Sequence, residues 1–485
     1  MKKIFKLTSV FILLLSIASC NLDVNDPIDN PDFNSLNPNR LFVGAETLSA
    51  EVYANRLNRV GNWMGVAWSG NYLSFNDAYG LESRYQFTST FYNDVWDDLY
   101  ANTLNFTTIL NYDDGKDWSN QKAAASVSLA FYLQYIVDLY GNAPYTEMHM
   151  GTKNLFPKYD DAEDIYKSLI ELTDNAITLI DGNSNSEDFS ASDIVFGGDM
   201  AKWKQFAQTV KLRLLVRLIL KAETDADLLS YINAKFADLN GVQFIDADVT
   251  LNPGYQDADD RQNPFWEIYG FTPADVATNR GRQTGPSQFG FNLLDNSNDP
   301  RLERLWKTGD GNTFAGTQQN GTGNSAALGD GVLKGADADL TIMLAAESYF
   351  LQAEAVQRGY LTGNAKALFD QGITSSFNSL GASGASTYIT ATDMDATLGF
   401  NGGNSLEAIL TQKWIALTSV SGGELWIEYN RTGFPSNLPL PLNLTDPNIP
   451  VRLLYPASEV SGNSANVIPQ TRGDAFTSKI FWDVN

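Results

Sequence analysis

The sequence predicts a mostly helical protein, an all-α scaffold of TPR-like helix pairs with long irregular loops and a few short strands. Long stretches repeat apolar residues with a helical period, and Gly or Pro follows where such a helix would end. Alternating strand patterns are short and rare. Ala-rich helix–turn–helix pairs favour TPR-like stacking, although no strict repeat of about 34 residues is present.

Six segments carry the helical pattern. They are Ser119–Tyr140, a segment from the Asp160-Asp161-Ala162-Glu163 cap to about Ile180, Lys202–Lys221, Thr341–Arg358, Asn364–Leu380 and Leu406–Leu417. Gly141 and Pro144 end the first, because neither residue continues a helix well. Acidic residues at 160, 161 and 163 suit a helix N-terminus. Short strands are expected near 242–249 and 86–88.

The first twenty residues have the pattern of a targeting signal. Lys2, Lys3 and Lys6 precede an apolar stretch, and small residues then lead to Cys20, the only cysteine of the chain. This arrangement resembles the lipobox of bacterial lipoproteins, in which the cysteine receives a lipid and becomes the new N-terminus. We therefore expect a signal peptide at 1–19, a lipid-anchored tether at 20–39 that is rich in Asn, Asp and Pro, and a single domain at 40–485.

Composition excludes several classes of protein. The formal net charge is −24, from 33 Lys and Arg against 57 Asp and Glu, which opposes binding to nucleic acids. A single Cys permits no internal disulfide and no cysteine-based zinc site. A single His excludes histidine-rich metal sites. We predict no cofactor.

Two loop-rich regions carry the candidate ligand contacts. Sugars present C–H-rich faces that stack on aromatic rings, and their hydroxyls need short polar partners. Residues 62–91 supply aromatic side chains among Asn, Gly and Ser, and a long insert at about 252–335 supplies a second patch with Gln283 nearby. The predicted ligand-binding residues are Trp63, Trp68, Tyr72, Phe75, Tyr79, Trp266, Tyr269 and Arg280. Trp203, Trp414 and Trp426 lie on helical positions, and we assign them to the core.

Other polar residues receive structural interpretations. The Cβ atoms of Glu424 and Glu428 would lie about 5–6 Å apart on one helix face. Glycoside hydrolysis needs carboxyls on both sides of the scissile bond, so a structural role is predicted for this pair. His149 has no nucleophile motif to serve and is predicted to be a loop residue. Asp257, Asp259 and Asp260 have the oxygen ligands that Ca²⁺ prefers, but they lack EF-hand spacing, so no metal site is predicted.

Several segments, in order along the chain, resemble one family. They are DLYGNAPY at 138–145, WKQFA at 203–207, LRLLVR at 212–217, DPRL at 299–302, the 346–355 helix with its AE pairs, QKWIAL at 412–417, ELW at 424–426, RTGFP at 431–435, PVRLLYP at 450–456 and FWD at 481–483. Together with Cys20 they resemble the SusD/RagB family of nutrient-binding outer-membrane lipoproteins of Bacteroidetes, and the length is nearest its shorter, RagB-like branch.

This resemblance implies a helical scaffold of four TPR-like pairs, in which the long loops and a few short strands form a ligand face. It further implies a surface-exposed, lipid-anchored position on the outer membrane. It also implies that the protein is not an enzyme and that its partner is a SusC-like TonB-dependent transporter, to which it delivers captured oligosaccharide. Three alternatives stay open: peptide as the ligand, a lipid-anchored glycoside hydrolase, and a lid that only gates or stabilises its transporter. The matching segments are mostly scaffold under this interpretation, so none of them is taken as a ligand contact.

Overall fold

The computed structural model describes residues 36–182, 185–444, 446 and 448–485. The predicted signal peptide, Cys20 and most of the predicted tether lie outside these residues. The first helix begins at Pro38, inside the range predicted for the tether, and the side chain of Asn37 caps it by accepting from the Arg40 amide at 3.2 Å. From there one hydrophobic core extends from Leu41 to Trp482.

Helices make up about half of the chain and confirm the predicted helical class. They are α1 Pro38–Val52, α2 Asn58–Met64, α3 Gly80–Ser83, α4 Asn93–Leu110, α5 Ser119–Tyr140, α6 Ala162–Gly182, α7 Met200–Ala222, α8 Ala226–Ala237, α9 Pro264–Tyr269, α10 Asn279–Gln283, α11 Gln288–Asn296, α12 Leu302–Leu305, α13 Ala345–Gln357, α14 Ala365–Leu380, α15 Ala385–Thr392, α16 Ser405–Leu417, α17 Gly422–Thr432, α18 Ala457–Gly462 and α19 Asp474–Thr477. A π-helical turn, Tyr53–Leu57, joins α1 to α2.

Strands form three separate two-stranded antiparallel sheets in the described chain. They are β1 Trp68–Gly70, β2 Val249–Leu251, β3 Thr284–Pro286, β4 Trp306–Lys307, β5 Ala327–Leu328 and β6 Leu340–Met343. The pairs are β1 with β3, β2 with β6 and β4 with β5. Four of these strands and four short helices lie within the predicted insert or at its boundary, so that segment is more ordered than a structureless loop.

Five of the six predicted helices are confirmed as α5, α6, α7, α14 and α16, with ends close to those expected. Local capping explains this agreement. The Asp161 carboxylate accepts from the Glu163 amide at 3.0 Å at the start of α6, and Asp199 caps α7 in the same way. Gly141, with φ of +82°, stops α5 in a conformation that favours glycine.

Three local predictions were wrong. Residues 86–88 form no strand, and of the predicted 242–249 strand only Val249 belongs to one. The helix predicted to start at Thr341 begins at Ala345, because Leu340–Met343 pairs with β2. Strand formation depends on a partner from a distant segment, which local pattern does not reveal.

Sequential helices pack side by side in the scaffold: α4 on α5, α5 on α6, α6 on α7 and α13 on α14. The predicted core tryptophans are confirmed, since Trp203, Trp414 and Trp426 are all at most 3% exposed. The described helix α5 is long and apolar enough to cross a bilayer, but the whole of its apolar window is buried inside the protein.

A set of buried charged side chains joins four scaffold helices, α7, α13, α16 and α17. We call it the ion-pair layer; its members are Arg213, Arg217, Glu347, Glu354, Lys413, Glu424, Glu428 and Arg431. The Arg217 guanidinium contacts both Glu428 and Glu424, the latter with 2.7 Å to each carboxylate oxygen. Arg431 binds Glu354 in a two-pronged contact of 2.9 and 2.6 Å. These contacts hold the helices in register beneath the loops.

Candidate functional site

The two predicted loop regions meet in one face of the molecule. Strand β1, from the first region, pairs with β3 of the insert, with Trp68 opposite Pro286 and Gly70 opposite Thr284. The contact continues beyond the strands, where the Leu73 amide donates to the Gly323 carbonyl at 3.0 Å. The sequence predicted both patches but not that they are neighbours.

Two of the predicted contact residues are core residues, and their assignment to the ligand site was wrong. Trp63 and Trp68 are fully buried, and the Trp68 indole N–H donates to Ser419 Oγ at 2.8 Å. No ring face is left for a sugar, because Tyr79 packs on Trp63 at 4.8 Å and Tyr269 on Trp68 at 5.3 Å between ring centroids. Apolar enclosure of a large ring outweighs its position in a loop-rich segment.

Tyr79 and Tyr269 are also buried, at 3% and 2% exposure, but each contributes to the wall of an open cleft. Their faces pack in the core, so they cannot serve as stacking platforms as predicted. Tyr79 donates to or accepts from Thr284 Oγ1 at 2.5 Å. Both tyrosines therefore shape a cleft while most of each ring stabilises the scaffold.

The remaining four predicted residues are partly or fully exposed. Tyr72 is half-buried, and its hydroxyl accepts from the Asn320 amide at 2.8 Å. Phe75 and Trp266 are half-buried. The ring centroids of Trp266 and Phe271 are 5.6 Å apart. Arg280 is exposed and stacks on Tyr79, with its guanidinium carbon 4.7 Å from the ring centroid.

A cleft of about 210 Å³ opens on this face between helix α10 and the β4–β5 sheet; we call it the Arg282 cleft. Its polar walls come from Asn71, Arg282, Lys307 and Asp310, and Phe271 supplies an aromatic wall. The Asp310 carboxylate accepts from Arg282 at 3.1 Å and from the Asn71 amide at 3.3 Å. An aromatic ring thus lies beside both donors and acceptors of hydrogen bonds.

The guanidinium and ammonium groups of the cleft are held in place by their neighbours. Arg282 stacks on Phe75 at 5.1 Å from the ring centroid. The Lys307 Nζ lies 5.8 Å from the Phe271 ring centroid and 2.9 Å from Asp330. Both cations are partly exposed, so each keeps N–H groups available to a hydroxyl or carboxylate.

Sequence reasoning did not nominate Arg282, Lys307, Asp310 or Phe271. The local sequence feature that could have indicated Arg282 is its position two residues after Arg280 in α10. Arg280 stacks on Tyr79, and Arg282 stacks on Phe75. Lys307 and Asp310 enter the cleft because β4 pairs with β5. No local sequence pattern indicates that pairing.

A larger, more open cleft of about 530 Å³ lies on the other side of α10; we call it the Tyr79 cleft. Inside it, the Tyr92 hydroxyl donates to Glu82 at 2.7 Å and accepts from Arg59 Nε at 2.5 Å. Burial, followed by the nearby Glu82 charge, raises the pKa of Tyr92 well above its ordinary value, so this phenol stays protonated. Arg280, on the rim, forms no ion pair with any described residue.

Comparison with known proteins identifies the family. Residues 39–456 match the SusD-like family that is described as starch-binding and associating with the outer membrane. The chain belongs to the SusD-like family. Members of this family are binding proteins of the outer membrane. No curated protein matches the chain.

Solved structures of SusD-like proteins share the fold. A chitin-binding protein is 24% identical, with a TM-score of 0.75, over 93% of this chain and 100% of its own. A chitin-binding SusD homologue from Flavobacterium johnsoniae is 22% identical, with a TM-score of 0.74, over 92% and 97%. A SusD-like protein from Bacteroides thetaiotaomicron is 20% identical, with a TM-score of 0.72, over 92% and 99%. At these identities the likeness establishes the fold.

Two acids of this SusD-like protein that superficially suggest hydrolysis are structural, as predicted. Glu424 and Glu428 are buried in the ion-pair layer and bound to Arg217. Burial alone would raise the pKa of Glu428, but Arg431, Lys413 and Arg217 hold it well below its ordinary value. A carboxyl held in its charged form and closed off from solvent cannot deliver a proton to a glycosidic oxygen.

His149 and Asp257 also have structural roles. His149 Nε2 donates to the Tyr100 carbonyl at 2.9 Å and Nδ1 accepts from Thr107 Oγ1 at 2.8 Å, which anchors a loop. Burial lowers the pKa of His149. Asp257 accepts from the Gln262 amide at 2.7 Å, and among the described residues no three His, Cys, Asp or Glu side chains are grouped to hold a metal ion.

Proposed function

We propose that this SusD-like protein captures an oligosaccharide in the Arg282 cleft and delivers it to a SusC-like TonB-dependent transporter. The family description supports sugar as the ligand, because it names starch binding. Two structurally similar proteins, which are described as chitin-binding, support it as well. The observation that carries the proposal is the cleft itself, where the Phe271 ring lies beside Arg282, Lys307 and Asp310.

The chemistry of the cleft suits a sugar ring. The Phe271 face accepts the C–H-rich side of a pyranose, while amide, guanidinium and ammonium N–H groups donate to hydroxyl oxygens. Asp310 keeps an acceptor for a hydroxyl hydrogen. Because Asp310 and Phe75 already position Arg282, little side-chain freedom is lost when a sugar binds.

The position of the protein in the cell forms a second part of the proposal. Cys20 is the attachment point of a lipid, and the mature chain is displayed on the outer membrane beside its transporter. Mass spectrometry of the mature N-terminus checks the first statement, with a diacylglyceryl-modified Cys20 expected. An unmodified Cys20, or a Cys20→Ala variant that stays in the membrane fraction, would contradict it.

Calorimetric titration tests the ligand. Maltohexaose, chitohexaose and a hexapeptide are titrated into the natural chain and into the Phe271→Ala variant. We expect a hexasaccharide to bind. Phe271→Ala should lower its affinity about tenfold, since the aromatic surface on which a sugar ring stacks is lost. Phe156→Ala is the matched control, because Phe156 is 60% exposed and lines neither cleft. Binding of the peptide alone would favour the peptide alternative.

Two further measurements test the binding role. Incubation with labelled hexasaccharide should return it intact, and appearance of shorter products would overturn the proposal of a non-enzymatic protein. Detergent-solubilised native protein should co-purify with an outer-membrane β-barrel transporter. Failure of that co-purification, with ligand binding intact, would restrict the proposal to sugar binding.

A further inference from the structure

A third cleft, on the other side of strand β3, is lined by amide side chains. We call it the amide cleft; it has a volume of about 230 Å³, and its amides are Gln288, Asn292, Gln318, Gln319 and Asn437. Phe289 supplies an aromatic wall. Of the described residues that line it none is charged, in contrast to the two arginine-containing clefts around α10.

The scaffold fixes the backbone positions of several of these amide-bearing residues. Gln288 and Asn292 are four residues apart on α11 and therefore share one face of that helix. Ser287 Oγ caps the helix by accepting from the backbone N–H of Gly290 at 2.9 Å. The backbone N–H of Gln288 donates to the Thr317 carbonyl at 2.8 Å. The second bond fastens α11 to the segment that carries Gln318 and Gln319.

Most of the amide groups are free to bind a ligand. The side chains of Gln288, Asn292, Gln318 and Asn437 make no hydrogen bond to another described residue. Each offers one carbonyl oxygen and one NH₂ group, which together match a donor and an acceptor on adjacent sugar hydroxyls. Exposed amides are common on protein surfaces, so the buried member of the set, Gln319, is the more informative one.

Gln319 is only 2% exposed, and the two polar atoms of its side-chain amide differ in their hydrogen bonding. Its Nε2 donates to the carbonyls of Trp63 and Trp68, both at 2.8 Å. Its Oε1 is buried and has no hydrogen-bond partner among the described residues. A buried acceptor without a partner costs about 1–3 kcal/mol, so a hydroxyl donor that reaches it is favoured.

Two more features mark the same cleft. Val66, on its wall, has φ of +57°, a conformation that is strained for a β-branched residue. Hydrogen bonds on either side hold it there, since the Val66 amide donates to Trp63 O and the Ala67 amide to Asn62 O. Phe289 packs edge-on against Trp414 at 6.0 Å between centroids and remains half-exposed.

We propose that the amide cleft is a second carbohydrate site, which takes an uncharged sugar ring. Amides pair with hydroxyls without favouring either sign of charge, and Phe289 accepts the apolar side of the ring. The absence of a cation among its described lining residues disfavours carboxylate or sulfate substituents. This site does not depend on sugar binding in the Arg282 cleft.

Calorimetry and intrinsic tryptophan fluorescence test the proposal, with maltohexaose, chitohexaose and the acidic hexagalacturonate as probes. The variant is Gln288→Ala/Asn292→Ala; both residues are exposed, so folding is retained. The matched control is Gln371→Ala/Asn378→Ala, two exposed amides on α14 that line none of the clefts described above. We expect the first variant to lose one binding event, or about tenfold in affinity, for a neutral hexasaccharide.

The outcomes separate the two sites. Unchanged neutral-sugar binding by Gln288→Ala/Asn292→Ala would overturn the amide cleft, even if Phe271→Ala weakens binding as the proposed function requires. Loss in the amide variant with no effect of Phe271→Ala would support the amide cleft and contradict the Arg282 cleft. Hexagalacturonate binding that the amide variant abolishes would overturn the preference for an uncharged ring. No binding of either neutral sugar to the natural chain would overturn both sites.

Discussion

The ion-pair layer and the Arg282 cleft use the same residue types for opposite purposes. In the layer, Arg217 and Arg431 are fully buried and surrounded by carboxylates. In the cleft, Arg282 has one acidic partner, and its side chain is 47% exposed. Buried guanidinium groups direct their donors into the scaffold, where no ligand reaches them, whereas a half-exposed one keeps donors for a ligand. Burial therefore decides whether an arginine stabilises this fold or stays available to a ligand.

Aromatic residues follow the same division. Trp63 and Trp68 contact the core on every side, although they lie in a loop-rich segment. Phe271 and Phe75 are half-buried, and each has one cation near its ring, Lys307 at 5.8 Å and Arg282 at 5.1 Å from the respective centroids. Substitutions in the two regions should therefore change different quantities, unfolding free energy in the scaffold and ligand affinity on the loop face.

The largest effect is expected at the centre of the ion-pair layer. Arg217→Met removes the two-pronged cation partner of Glu424 and leaves that buried carboxylate with only the Lys413 ammonium, at 3.5 Å. We expect a loss of about 5 kcal/mol of unfolding free energy, the upper end for a broken buried ion pair. Urea unfolding measures it. A loss below about 1 kcal/mol would show that the layer is no more important than a surface pair.

Trp68→Ala tests the corrected assignment of that residue. Its indole is fully buried and bonded to Ser419, so we expect a loss of about 3–5 kcal/mol. Trp414→Ala, also in the core, should cost a similar amount and serves as the comparison. An unchanged melting temperature with weakened sugar binding would instead return Trp68 to the ligand site.

Glu46 sharpens the comparison within the scaffold, because it is a buried acid without an ion pair to any described residue. Burial raises its pKa from 4.5 to about 7, although the Tyr132 hydroxyl donates to it at 2.8 Å. The folded protein therefore keeps a proton that the unfolded chain releases, and this contribution to stability is lost as pH rises from about 4.5 to 7. The loss is about 3 kcal/mol.

Glu46→Gln should remove this pH dependence. Urea unfolding at about pH 5 and pH 8 compares the two chains, and the variant should gain stability relative to the natural protein at the higher pH. Equal pH profiles for the two chains would contradict a protonated Glu46. Glu428, in the ion-pair layer, predicts the opposite dependence of stability on pH. Its pKa in the folded protein lies well below the ordinary value, so its contribution to stability is lost as pH falls.

Arg282→Ala and Arg280→Ala distinguish the two clefts around α10. Arg282→Ala should weaken hexasaccharide binding about tenfold, because it removes a donor held at the cleft wall. Arg280→Ala removes an exposed side chain of the Tyr79 cleft and should leave affinity unchanged. Each should alter unfolding free energy by less than about 1 kcal/mol. A stronger effect of Arg280→Ala on affinity would move the ligand to the Tyr79 cleft.

The smallest effect is expected at an exposed ion pair. Lys116 lies 3.2 Å from Glu187, and both side chains are exposed to solvent. Lys116→Ala should cost no more than about 1 kcal/mol, and the cost should fall with added salt. A loss comparable with that of Arg217→Met would remove the distinction between the ion-pair layer and the surface.

The limits of sequence reasoning are clear at individual residues. The ends of α5 and α7 follow from Gly141 and from the Asp199 cap, which act within a few residues of the helix. The structure brings the two predicted loop regions together, but Trp63 and Trp68, two of the aromatics chosen there, are buried. Trp68 is enclosed by contacts such as that with Ser419, 351 residues away in the chain.

The sequence by itself determined five of the scaffold helices, the core tryptophans Trp203, Trp414 and Trp426, and the structural role of the Glu424 and Glu428 pair. It also placed the lone Cys20 at the end of a signal-like segment, which remains a prediction. Only the tertiary structure decided which loop residues face solvent, and that Arg282 meets Asp310 beside Phe271. A helix satisfies its hydrogen bonds within four residues, so its pattern is local. Irregular loops obtain their partners from distant segments, and burial is settled only when those segments meet.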